Sequence, residues 1–239
     1  MNDTAETDPA VHTRAGWREG VCGIGKFLPG IVVFGASFGT LAAQKGLTLA
    51  QTMAMSGFVF AGASQLVALQ LWSEHWTIGA VAAVAGVVAA VNGRLLLMSA
   101  ALRPWLRNLR GRTVYAHLTL LTDVNWAIGM DHRQRGGRDF GFIAGSGVFC
   151  WLLWMATTLA GFLLGGLVAD PRAFGLDLVV VFIFTARSVS AVRRAPDVLP
   201  FVAAAVTAAA VSLMETGYWF IVCGALAGAG TAYWRGADE

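Results

Sequence analysis

The sequence predicts an all-α polytopic membrane protein of about six transmembrane helices plus two re-entrant hairpins, and three observations carry that prediction. Composition comes first. Hydrophobic residues make up 56% of the 239-residue chain and charged residues 13%, with a mean hydropathy of +0.63, too apolar for a soluble domain of this length. The second observation is a set of eight apolar runs, at about 21–43, 49–72, 76–101, 113–130, 140–169, 178–192, 199–214 and 217–234. The third is where the arginines fall. Eight plain spans from a cytosolic N-terminus would export the loop holding Arg103, Arg107, Arg110 and Arg112, against the positive-inside bias. An external N-terminus would export Arg14, Arg18, Arg133, Arg135, Arg138, Arg193 and Arg194 instead. If run 49–72 enters from and returns to the outside, and run 113–130 does the same from the cytosol, every arginine-rich loop becomes cytosolic. Only Lys45 and Arg172 then lie outside. Eight plain spans stand as the alternative, since run 49–72 is long enough to cross outright.

The elements follow in order. Residues 1–20 are polar and of mixed charge, without an apolar core ending in a small-residue cleavage motif, and are expected to be a cytosolic tail. A single transport domain then extends over 21–235, with 236–239 as a C-terminal tail. In the first run, Pro29 precedes Gly35, Ser37 and Gly39, a combination able to interrupt a helix and expose backbone dipoles. Close helix packing is the competing reading. The second run carries Phe60-Ala61-Gly62-Ala63-Ser64-Gln65 at its middle. Hydrocarbon cannot satisfy an amide side chain, so Gln65 must face protein, water or a ligand, while Gly62 and Ala63 let another group approach the backbone and Ser64 adds a hydroxyl. The third run is broken by Asn92-Gly93-Arg94, and the fourth holds Thr122-Asp123-Val124-Asn125. Small residues four apart, in Gly141/Gly145, Gly161/Gly165 and Gly224/Gly228, fit tight helix contacts.

Asp123 is the most informative ionisable residue. A carboxylate at mid-span costs about 2.5 to 3.5 kcal/mol on insertion scales, and burial drives its pKa toward neutrality, where it can exchange a proton during transport. Its competing role is a structural ion pair with Arg94. Arg94 in turn can fork onto a carboxylate, pair structurally or snorkel to headgroups, and Asn92 can cap a half-helix. A zwitterionic substrate needs donors for its carboxylate, an acceptor for its ammonium and an apolar pocket. Amides around Gly62 to Ser64, with Gln65 and Arg94, suit the first; Asp123 suits the second; Phe58, Phe60 and Leu66 suit the third. His117 either relays protons or bonds a backbone carbonyl. Several tryptophans lie near run ends, as in aromatic belts, and need no ligand.

A channel, or a carrier for another small solute, stands as the alternative, since sequence does not separate a channel from a carrier; other classes fit poorly. The chain lacks a phosphate-binding glycine loop with lysine, and a hydrolase built on Ser64, His117 and Asp123 lacks the second glycine of a nucleophile elbow. Three cysteines, each in or beside an apolar run, make neither a disulfide framework nor a metal set. No cofactor is expected. The excess of 17 Lys+Arg over 14 Asp+Glu, with a pI near 9.0, reports cytoplasmic loops facing lipid rather than nucleic-acid binding.

Ala61-Gly62-Ala63-Ser64-Gln65, Val91-Asn92-Gly93-Arg94 and Leu121-Thr122-Asp123 occur in the order and spacing of the AzlC-type branched-chain amino acid permeases, which the chain resembles from about Gly20 to Trp234. The resemblance extends through Phe38-Gly39, the stretch Trp151 to Gly165, Asp170-Pro171 and Gly175-Leu176-Asp177. It implies the large subunit of a two-component secondary exporter for leucine, isoleucine and valine, and often methionine, coupled to proton movement, for which Asp123 is the carboxylate read above. It also implies a bacterial cytoplasmic (inner) membrane and a small hydrophobic AzlD-type partner; assembly into a higher oligomer stays open. Substrate contacts then fall on Gly62, Ala63, Ser64, Gln65, Asn92 and Arg94, with Ser37, Gly39, Thr122 and Asn125 in support. The chain departs from the family pattern at Val124, where an acidic residue is frequent, and in Val32 to Ala36, which lacks a frequent proline.

Overall fold

A computed structural model describes residues 12–72, 77–106, 109–165, 195–214 and 219–236, together with the isolated Thr185. The predicted run 178–192 with Arg187, the Asp170-Pro171 and Gly175–Asp177 stretches, and both chain ends lie outside the described residues, Thr185 apart. Among the described residues the fold is all-α, as the sequence predicts. Three stretches are long and apolar enough to cross a bilayer: Arg14–Gln44, Ile78–Arg103 and Gly141–Gly165. The described residues form two compact units, one from Met1–Gln65 and Asn92–Ala169, the other from Leu66–Val91 and Asp170–Glu239.

The first unit is built on α8 (Gly141–Gly165). Helix α1 (Arg14–Gly23) starts at Thr13, whose hydroxyl accepts from the Gly16 amide at 3.0 Å, and a 3₁₀ turn (Ile24–Phe27) leads into α2 (Leu28–Gln44). Pro29 lies in the first turn of α2, where its missing N–H is one the helix would leave unpaired anyway. The helix therefore continues unbroken through Ser37 and Gly39, and the interruption expected there is absent. What the glycines provide instead is contact with α8. A Cβ on Gly39 would lie 2.1 Å from the Thr158 carbonyl oxygen, one on Gly161 2.1 Å from that of Ala36, and one on Gly165 2.7 Å from Thr40 Cα. In the gap these glycines leave, Thr40 Oγ1 donates to the Gly161 carbonyl at 2.9 Å. Backbones approach this closely only where side chains are missing.

Residues up to 20, expected in a tail, include much of α1, which packs on α8 in the same way. Cβ atoms on Gly20 and Gly145 would fall 2.0 Å from the Phe142 carbonyl and 2.2 Å from that of Trp17. Asp139 fastens this end. Its carboxylate accepts from the Thr13 hydroxyl, the Thr13 amide at 3.2 Å and the Gly141 amide at 2.7 Å. Burial pushes the Asp139 pKa up, but these bonds and nearby His12 more than offset it and hold the group below the ordinary carboxylate range. A depressed folded-state pKa means the latch contributes stability above the unfolded value of about 4 and loses it as pH falls through the folded value. Asp139→Asn is expected to cost about 1 kcal/mol locally, as for other helix-end caps. Hydrogen exchange at the Thr13 to Trp17 amides should then be several-fold faster at pH 7, and the difference from wild type should shrink as pH falls below about 4 and vanish only below the depressed folded-state value.

Runs 49–72 and 113–130 are both interrupted, so neither is one continuous helix. The first gives α3 (Leu49–Val59) and α4 (Gly62–Gln70), the second α6 (Gly111–Leu118) and α7 (Asp123–Gln134). Reciprocal capping bonds start α3 at Thr48/Gln51 and α7 at Thr122/Asn125. Between them α5 (Ile78–Leu106) is continuous, so Asn92-Gly93-Arg94 opens no break. Leu102 and Leu106 of α5 form a core with Leu121, Phe140 and Ile143. In the second unit α9 (Ala195–Met214) and α10 (Trp219–Gly236) pack through small residues, Gly224 and Gly228 meeting Ala204 and Ala208. Cys22, Cys150 and Cys223 form no disulfide.

Candidate functional site

Helix α3 ends at Phe60, which takes the left-handed conformation (φ 41°, ψ 43°) that a bulky residue adopts only when its surroundings hold it there; Phe60 is buried. Helix α4 then begins, its first backbone bond running from the Gln65 amide to the Ala61 carbonyl at 2.9 Å. Ala61 has no side-chain acceptor, and the Ser64 hydroxyl donates to the Ala61 carbonyl at 2.9 Å rather than capping amides. The carbonyl end of one helix and the amide end of another thus meet at Phe60-Ala61. Such opposed partial charges suit a zwitterion.

The walls of this break come from α2 and α8. A Cβ on Gly62 would lie 2.6 Å from Trp154 Cη2 and 2.9 Å from Phe34 Cε1, so only glycine fits between these rings. Gln65 is fully buried. Its Nε2 donates to Ser56 Oγ at 3.5 Å, and Ser56 shares a 3.0 Å hydrogen bond with Thr158. Gln65 Oε1 and Trp154 Nε1 are buried atoms with no hydrogen-bond partner. Leaving such groups unpaired costs about 1–3 kcal/mol each, an expense expected where a ligand supplies the missing bonds. Of the apolar residues proposed from sequence, Phe60 and Leu66 are buried, whereas Phe58 is 93% exposed and points away.

The second break holds Asp123. Asn125 builds it: its Oδ1 accepts from the Thr122 amide at 2.7 Å and its Nδ2 donates to the Leu120 carbonyl at 2.7 Å. Thr122 and Asn125 are thereby occupied in shaping the backbone. Asp123, at the first position of α7 where the helix dipole favours an anion, pairs with Arg94 at 3.1 Å, and the two side chains are 25% and 36% exposed. Asn92 Oδ1 and Arg94 Nε are buried without hydrogen-bond partners. His117 Nδ1 lies 2.6 Å from the Thr113 carbonyl and its ring stands edge-on to Phe140, while the Ser64 hydroxyl donates to the Ala61 carbonyl, so each side chain is engaged within its own segment. Ser37 bonds back to the Val33 carbonyl at 2.7 Å, and Gly39 is spent on α8.

Helix α8 carries both breaks. Gly147 faces Asn125 and Leu120, and seven residues on Trp154 faces Gly62. Seven residues are almost two full turns, so the breaks lie on one face of α8 about 10.5 Å apart along its axis. The sequence assigns no role to Trp154, Ser56 or Thr158. Ser56 and the Thr157-Thr158 pair were visible as hydroxyls inside apolar runs, but nothing local says that they meet. Trp154 lies at the middle of run 140–169, away from the run ends where belt tryptophans sit, but nothing local says what it meets there.

A family model described as AzlC protein matches residues 27–168, well over half of the chain. No curated protein and no solved structure matches it. The matched span reaches from the start of α2 to the end of α8 and takes in both breaks and the Arg94–Asp123 pair, as the resemblance of the motifs implies; this multi-pass membrane protein belongs to the AzlC family.

Proposed function

We propose that this chain is the large subunit of a secondary transporter that exports leucine, isoleucine, valine and methionine from the bacterial cytoplasm. It works with a small hydrophobic AzlD-type subunit in the cytoplasmic membrane, with its N-terminus in the cytosol, and couples export to protons through Asp123. The observation that carries the reading is the α3/α4 break, where opposed helix ends adjoin the buried, half-satisfied Gln65. The family adds the substrate class and the direction. The substrate sits in the α3/α4 break, bound by backbone around Gly62, Ala63 and Ser64. Asp123, at a different level of α8, serves coupling rather than ammonium binding, because one carbon joins both charged groups of an amino acid and they cannot bridge 10 Å. One group of helices rocking against another would expose the break to each side in turn.

The test is leucine efflux from preloaded cells lacking their own exporters. Expression of this chain with a matched small subunit is expected to raise the initial efflux rate about tenfold or more, and expression of either chain alone to leave it at background. If no branched-chain amino acid or methionine moves although both chains reach the membrane, the substrate assignment is wrong.

A further inference from the structure

We infer that the indole N–H of Trp154 donates to the carboxylate of the transported amino acid, and that Gln65 Oε1 accepts from its ammonium, an inference that rests on the transport reading above. Two tryptophans three residues apart on α8 make the case by contrast. Trp151 Nε1 donates to the Gly57 carbonyl at 3.2 Å, one of the last carbonyls of α3 that helix geometry leaves open. Trp154 has no such partner, although only 5% of it is exposed. Its place is fixed. The ring is edge-on to Phe34 at 5.5 Å and stacked with Phe38 at 6.3 Å, and its Cε3 edge faces Gly35 of α2. The Cζ2–Cη2 edge, adjacent to the nitrogen, faces Gly62 at the start of α4. The indole edge next to the buried N–H therefore packs on the first residue of α4, and an N–H donor and a helix N-terminus both favour an anion.

Gln65 supplies the complementary charge. Its Nε2 is engaged by Ser56, itself fixed by Thr158, which orients the amide so that Oε1 remains as an acceptor. Gln65 lies three residues beyond Gly62, about 4.5 Å along the axis, so the amide acceptor and the edge of Trp154 both belong to the first turn of α4. A helix end alone would bind any anion. A helix end, an indole donor and an amide acceptor together select a zwitterion.

The experiment is calorimetric titration of the full chain, assembled with its matched small subunit in lipid nanodiscs, with leucine, leucinol (no carboxylate) and 4-methylpentanoate (no ammonium). Trp154→Phe keeps the ring and loses the N–H; it is expected to raise the Kd for leucine about tenfold, as for a hydrogen bond to a charged group, and to leave leucinol unchanged. Gln65→Met is expected to weaken leucine and leucinol alike but not 4-methylpentanoate. Equal weakening of leucine and leucinol by Trp154→Phe, or no change in leucine, overturns the inference. If wild type binds 4-methylpentanoate through Trp154 but no leucine, the carboxylate role stands and the amino-acid reading falls; if it binds neither, both fall. Should Trp154→Phe misfold, the indole N–H resonance of wild type in contact with the Phe34 ring decides. It should move downfield with leucine and not with leucinol, and no movement overturns the inference.

Discussion

Gly161→Ala should destabilise the folded protein by about 2–4 kcal/mol. The added methyl would sit 2.1 Å from the Ala36 carbonyl oxygen, which is helix backbone and cannot swing aside as a side-chain tip could. Helices α2 and α8 would have to separate, and the Thr40 hydroxyl would lose the Gly161 carbonyl at 2.9 Å. Overpacking of this kind costs about 1–3 kcal/mol, and the lost buried hydrogen bond adds about 1 kcal/mol. Against the marginal stability of a typical fold, the sum leaves little margin. The control lies in α2: a Cβ on Gly30 meets nothing within 4 Å, so Gly30→Ala should be neutral or stabilise by up to about 1 kcal/mol through helix propensity. Thermal stability of the detergent-solubilised protein, followed by monodispersity on a sizing column, checks both. Equal behaviour of the two variants would show that α2 and α8 do not meet through Gly161.

How far the fold could be foreseen follows from which signals are local. Ser64 and Gln65 in one run and Thr122, Asp123 and Asn125 in the other marked the two interrupted helices, because a polar group inside an apolar run has few places to go. The Thr122/Asn125 capping box that starts α7 is seen only in the structure, because asparagine stands where the sequence signature has glutamate or glutamine. The Arg94–Asp123 pair, named from sequence as the alternative to a lone carboxylate, forms. Helix α2 went the other way: Pro29 beside Gly35 and Gly39 resembles a break, and only the register of Pro29 in the first turn and the arrival of α8 against the glycines make it continuous. Phe58 and Trp154 were indistinguishable as apolar aromatics until the fold turned one outward and buried the other. Which helix meets which is a long-range property. Every residue added to the site by the structure, Ser56, Trp154 and Thr158, depends on it.

Asp123→Asn should abolish proton-driven export to the level of cells lacking the chain while leaving the protein in the membrane. The separation of these effects follows from the site. Both partners of the Arg94–Asp123 pair are partly exposed, so the pair contributes about 1 kcal/mol or less, and the dipole effect at the start of α7 adds only about 0.3–1 kcal/mol. Neither loss unfolds the chain, because Thr122 and Asn125 still hold the break open by their capping bonds. If the carboxylate moves protons, the amide variant should retain leucine counterflow, which needs substrate binding and helix movement but no net proton transfer. It should lose accumulation driven by a pH gradient. Exchanging the pair, as Arg94→Asp with Asp123→Arg, restores opposite charges in contact without restoring a carboxylate at the head of α7. That double variant should therefore recover the contribution of the ion pair, though not that of the helix dipole, and should not recover coupling. Recovery of gradient-driven export by the exchanged pair, or its persistence in Asp123→Asn, would reduce Asp123 to a structural partner of Arg94 and require the proton to travel by another group.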